Sequence, residues 1–146
     1  MSRNIRCITY QNAFSAENSA YRDLIIGSEH NVVGCNSKIF GSSKPGDLVI
    51  INAVRDRIKY AIIGMLQTKL DSCNAWINEG GRNWLYNFTY IPLTSIFQYD
   101  TETKEEIMQF CEQRSLKWKN IFHSRFCSNK LEAAVDLLIE KFVDLN

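Results

Sequence analysis

Two histidines, His30 and His123, and five cysteines, Cys7, Cys35, Cys73, Cys111 and Cys127, are the side chains best suited to metal or nucleophilic chemistry. Their spacing assembles none of it. Zinc and redox sites draw on close pairs such as C-x-x-C, H-x-x-x-H or H-E-x-x-H, and the sequence has no such pair. The H-x-E…C-x-x-C pattern of a zinc deaminase is missing too. A dyad of Cys35 with His30 would require the two to meet in space. Free, buried thiols in a reducing compartment are the simpler reading of five scattered cysteines. G-x-S-x-G, G-x-x-x-x-G-K-[ST] and G-x-G-x-x-G do not occur. "GSSKPGD" (41–47) has phosphate-friendly residue types, but it lacks P-loop spacing and leads into a strand, so Asp47 reads as a turn residue. The expectation is no catalytic residue, no metal and no cofactor: a binding protein rather than an enzyme.

Binding residues are better marked. Trp76 lies in "LDSCNAWINEGGRNW", among polar residues and glycines. A tryptophan on such a segment is available to stack on a flat ligand or a base; the alternative is an indole folded back onto the core. Trp84 opens "WLYNFTYIPLTSI", where Trp84, Tyr86, Phe88 and Tyr90 alternate with Leu85, Asn87, Thr89 and Ile91. That alternation predicts a strand with one aromatic, mainly core-facing side. Net charge is only +1, but no acid falls between Glu112 and Glu132, while Arg114, Lys117, Lys119, Arg125 and Lys130 do. Such a basic strip suits a phosphate backbone, against the alternative of solvated loop lysines.

The elements that must position these residues follow from periodicity. "IRCITY" alternates as a strand; "SAENSAYRDLIIG" predicts a helix capped by Ser15 and stopped at Gly27; "NVVGCNSKIF" reads as a strand or an irregular turn. "LVIINAV" and "IKYAIIGML" predict a hairpin turning at "RDR", with Gly64 marking a bulge or a close approach. Pro92 ends the aromatic strand. "TKEEIMQFCEQ" has the capping-box spacing of Thr103 and Glu106, and "NKLEAAVDLLIEKFVDL" is amphipathic at helical spacing. The order predicts an α+β fold: a curved mixed or antiparallel β-sheet or small β-barrel, with flanking helices and two C-terminal helices. The length of 146 residues and a 45% hydrophobic composition fit a single domain over 1–146. No apolar run reaches the roughly 20 residues of a membrane span, and the N-terminus carries no apolar signal core. An intracellular protein, cytoplasmic or nuclear, with no membrane partner is expected.

"HNVVGCNSKIFGSSKPGDLVIINAV", "KYAIIGMLQTK" and "NAWINEGGRNWLYNFTYIPLTSI" together resemble the PUA-like superfamily, and within it the EVE and YTH domains. The resemblance covers 5–96 and leaves 101–146 as a helical extension. It implies a PUA-like fold and a reader of one nucleobase, often methylated, held in an aromatic cage. Carried over by position, Trp76 matches the cage tryptophan. Cys35, Asn36 and Ser37 match the segment lining the pocket, and Asn52 lies near its mouth. Where YTH domains place a further tryptophan this chain has Val33 and Gly34, so the second cage wall falls to Tyr21, Trp84 or Tyr86. The basic strip would supply backbone contacts to DNA or RNA. The alternative is a protein-interaction or inhibitor module, docking a protein partner through its aromatic face or C-terminal helix. A second alternative is a PUA-like hydrolase or nuclease, although the G-x-K-x-x-E-x-R-type signature of the related ASCH domains is missing.

Overall fold

The computed structural model describes residues 3–13, 17–78, 81, 83–116, 126–127 and 129–143. In chain order these form β1 (Ile5–Thr9), α1 (Ser19–His30), β2 (Val32–Cys35), a helical turn α2 (Lys38–Gly41), β3 (Leu48–Arg55) and β4 (Ile58–Leu70). A second helical turn α3 (Ala75–Asn78), β5 (Tyr86–Pro92), β6 (Phe97–Gln98), α4 (Thr101–Gln113), β7 (Phe126–Cys127) and α5 (Glu132–Phe142) follow, with a short 3-10 turn before α5. The fold is α+β, as its sequence order predicts.

The strands make one mixed sheet in the order β2-β5-β4-β3-β1-β7, with β6 pairing beside β4. Among the described residues only β1 and β3 run parallel; the remaining pairs are antiparallel. The sheet does not close into a barrel, yet it curls. β4 pairs with β3 through Ile58–Met65 and with β5 through Gly64–Leu70, and its register shifts between Leu66 and Thr68. A bulge of this kind adds local twist. Gly64 serves the close-approach role: a Cβ there would fall 2.4 Å from the Tyr90 ring.

Alternation along β3 sorts the core into two layers. Leu48 and Ile50 join Ile5, Cys7, Ala61 and Ile63 under α4 and α5, which contribute Ile107, Cys111, Ala134, Val135 and Leu138. Val49, Ile51 and Ala53 face the other way, toward α1, Trp76, Phe88 and Tyr90. Helices α4 and α5 thus cover one face of the sheet. The apolar stripe of α5, expected as a docking face, is spent there: Leu138 is fully buried.

Local endings differ from the sequence expectation. Ser15 lies outside the described residues; α1 begins after Asn18, in the left-handed region at φ 61. Gly27 does not stop the helix. It sits inside α1 because a Cβ would meet Val32 O at 2.6 Å and the Trp76 ring at 3.2 Å. Asn31, at φ 54, ends the helix instead, a conformation asparagine tolerates better than most side chains. The cap of α4 is Asp100, whose carboxylate accepts from Thr103 N at 2.8 Å, so the Thr103–Glu106 box is displaced by a better acceptor three residues earlier. Asp47 does act as a turn residue, accepting from the Lys44 and Asn4 amides.

The β3–β4 hairpin turns on Asp56 and Arg57, both at positive φ (52 and 68). Two central residues at positive φ give the type I′ geometry that matches strand twist, and glycine is strongly favoured at the second of them. Arginine there costs roughly 1 kcal/mol or more relative to an unstrained residue. Val54 through Ile58 are all exposed, so the hairpin projects beyond the core.

Candidate functional site

Tyr10 follows β1 directly, and its hydroxyl accepts the Gly34 backbone N–H of β2 at 3.3 Å. β1 and β2 are separated by β3, β4 and β5 in the sheet. The curl therefore brings the end of β1 to within one tyrosine side chain of β2. This gap is a seam spanned by a side chain where a closed barrel would have a ladder. Antiparallel alternation explains why Gly34 is free to be latched. Tyr90 N donates to Asn31 O, so Asn31, Val33 and Cys35 point into the β5 ladder while Gly34 points out of it. Burial pushes the Tyr10 hydroxyl well above the usual phenol range, so it remains a neutral acceptor.

Three aromatic rings gather at the seam. Trp84 lies 5.3 Å from Tyr10 and 6.2 Å from Trp76, nearly perpendicular to the latter, and Tyr10 lies 6.5 Å from Trp76. The indole of Trp84 packs straight onto Gly34: a Cβ there would fall 2.4 Å from its ring. Gly34 thus makes room for a tryptophan from another part of the chain. Of the three replacements expected, only Trp84 reaches the seam. Tyr21 pairs with Tyr60 at 4.8 Å, and Tyr86 lies over Gly41.

Trp76 is corrected. It was expected on a polar loop, available for stacking; it sits on α3, 1% exposed, with its indole N–H donating to Asp23 O at 3.0 Å. Its polar neighbours hid this, because burial comes from docking on α1 at Gly27 rather than from local pattern. Asn52 is corrected likewise. It is fully buried, donating to Ile8 O and accepting from the Thr9 hydroxyl, and ties β1 to β3 instead of lining a mouth.

The β2 segment keeps its place beside the rings. Asn36 Oδ1 accepts the Leu85 N–H at 2.9 Å, and Asn87 Nδ2 donates to Trp84 O at 3.0 Å. Two asparagines thereby pin the backbone of Trp84 and Leu85 and leave the indole to packing. Cys35, half-buried and free, accepts from the Ser37 amide at 3.4 Å, and Ser37 occupies the N-cap position of α2. Gly34 and Asn87 are cross-strand partners, so the Asn87 side chain rises on the same side as the Trp84 indole. Asn87 Oδ1 is buried and has no hydrogen-bond partner. Leaving such an acceptor unpaired costs about 1–3 kcal/mol. Tyr10, Gly34 and Asn87 escaped sequence reasoning; Gly34 inside a β-branched run was the available signal.

The basic strip stands differently. Lys117, Lys119 and Arg125 lie outside the described residues. Arg114 is exposed and stacks on Phe110 of its own helix at 3.6 Å, and Lys130 is exposed. Among the described residues no three His, Cys, Asp or Glu side chains gather to hold a metal ion, and no helix is long and apolar enough to cross a membrane. Comparison with known proteins gives no matching family model, curated protein or solved structure.

Proposed function

We propose that the chain is a PUA-like, EVE/YTH-like nucleic-acid-binding module that receives a single base, flipped or modified, at the seam between β1 and β2. The observation that carries this reading is the Gly34 slot. An aromatic ring already lies on its glycine floor, Tyr10 and Trp76 form walls, and the unpaired acceptor Asn87 Oδ1 stands on the same side. A planar base takes the place of the Trp84 indole or stacks on it, and its exocyclic amino group donates to Asn87 Oδ1. A singly methylated amino group keeps one N–H for that bond, while the methyl meets aromatic surface. The backbone of Trp84 stays pinned by Asn36 and Asn87, so only the indole has to turn.

Magnitudes limit what the slot achieves alone. Stacking contributes roughly 1–3 kcal/mol per base. Extracting a base from a duplex costs a few kcal/mol. Single-stranded targets and additional backbone contacts are therefore required. The test is binding of short oligonucleotides carrying adenine, methylated adenine or a purine without the amino group, read by tryptophan fluorescence and anisotropy. The expected result is binding with preference for the amino-bearing bases, lost in Trp84→Ala. Equal affinity for all three bases, or a Trp84→Ala variant that binds as well as wild type, overturns it.

A further inference from the structure

The β3–β4 hairpin tip is not needed for the core. Its two turn residues are charged, and Arg57 holds a left-handed conformation that glycine would occupy at less cost. A strained position is worth explaining when an easier residue exists. What arginine adds there is a cation at the outermost point of the sheet. Arg55 lies 5.0 Å over the Tyr21 ring, which in turn meets Tyr60 at 4.8 Å. On the other side of the hairpin, Lys59 is held close enough to Lys104 that burial and like charge together pull its pKa down. Against these cations the turn offers Asp56, which meets Arg55 at 3.6 Å in an exposed pair of little strength. An excess of cations, an aromatic pair and a projecting backbone are the ingredients of a surface that tracks a polyanionic strand.

The tip also stands in the right place. Tyr10 N pairs with Asn52 O, so β1 leaves β3 at the seam three residues before Arg55. At about 3.3 Å per residue that is roughly 10 Å, within reach of the phosphates that flank a base held at the seam.

We propose that the hairpin tip, through Arg55 and Arg57 with Tyr21 and Tyr60, grips the phosphate backbone of a single nucleic-acid strand next to the seam. This rests on the nucleic-acid reading above and moves its backbone contacts from the 114–130 strip to the hairpin. The experiment measures anisotropy of two labelled strands of one length, one bearing adenines and one abasic, between about 50 and about 300 mM salt. Wild type, Arg57→Gly and Arg55→Ala/Arg57→Gly are compared, with Trp84→Ala alongside.

Removing two phosphate contacts is expected to flatten the slope of log K against log salt by about 1.4 for a single strand. Affinity for both strands falls roughly tenfold at the lower salt, while base preference stays. Arg57→Gly, by relieving the turn, raises the melting temperature by about 3 °C even as it weakens binding. A slope unchanged by the tip variants, with base preference intact, overturns the hairpin assignment and leaves the base reading standing. Equal binding of adenine and abasic strands, indifferent to Trp84→Ala but sensitive to the tip, does the reverse. If neither strand binds wild type, both are overturned.

Discussion

The two faces of the sheet bury comparable numbers of side chains but use different chemistry. Under α4 and α5 the layer is largely aliphatic: Ile5, Leu48, Ile50, Ile63, Ile107, Val135 and Leu138 interlock. On the α1 side large aromatic rings join the aliphatic side chains: Tyr10, Phe40, Trp76, Phe88 and Tyr90 are buried, and Trp84 packs at the margin. Aliphatic side chains carry no polar atoms and leave nothing to satisfy. The aromatic side brings hydroxyls and amides with it, and among the described residues Tyr90 OH and Asn87 Oδ1 are buried there without partners. The α4–α5 face buries a hydroxyl too, that of Tyr99, so the difference is one of proportion, and a face mostly of hydrocarbon serves stability. A face that tolerates unpaired polar atoms beside an open seam has retained something a core does not need.

Substitutions can break this comparison. Leu138→Asp places a carboxylate in the aliphatic face with nothing to pair it, at a cost of about 3–5 kcal/mol or more, comparable with the whole stability of a domain. The expected outcome is a protein unfolded by circular dichroism at room temperature. A folded Leu138→Asp variant would show that α5 is not part of the core.

Trp76→Ala probes the aromatic face more gently. It removes a fully buried indole and its hydrogen bond to Asp23 O, for about 3–5 kcal/mol by denaturant titration. Trp84→Ala, at a half-buried margin, is expected to cost less than half of that. Equal costs would erase the distinction between a core ring and a slot ring.

The smallest effect is a titration. Burial raises the hydroxyls of Tyr10, Tyr90 and Tyr99 above the ordinary phenol value. A folded pKa raised above the unfolded one means stability complete below about pH 10 and lost as pH climbs past it. Tyr10, Tyr90 and Tyr99 are therefore expected to gain phenolate absorbance only together with unfolding. Because Tyr99 belongs to the aliphatic face and the other two to the aromatic one, a biphasic unfolding step would report that the faces come apart separately.

What the sequence made legible was whatever depends on neighbours along the chain. Alternation marked β1 and β5, and apolar β-branched runs about a turn marked β3 and β4; helical spacing marked α4 and α5; Gly64 announced a close approach. What stayed hidden depends on residues far apart. Trp76 looked solvent-bound because "NAWINEGG" is polar, yet its burial is decided by Gly27, 49 positions earlier. The same glycine looked like a helix stop for want of that partner. Gly34 could be read as a missing tryptophan, but only three-dimensional proximity reveals Trp84 as the ring it accommodates. "RDR" was legible as a turn; that Arg55 stands over Tyr21, which packs on Tyr60, was not.

The Tyr10 latch implies a particular rhythm of exchange with solvent. Amides inside the β2–β5 ladder are released only when strands separate, which in a cooperative domain approaches global unfolding. The Gly34 amide is released when one phenol ring swings away, an event that gives up a single hydrogen bond of about 0.5–1.5 kcal/mol and some packing. In deuterated solvent Gly34 should therefore lose its proton long before Val33 and Cys35 on either side of it. A fast amide between two slow ones would mark the seam as a place that breathes while the sheet around it stays intact.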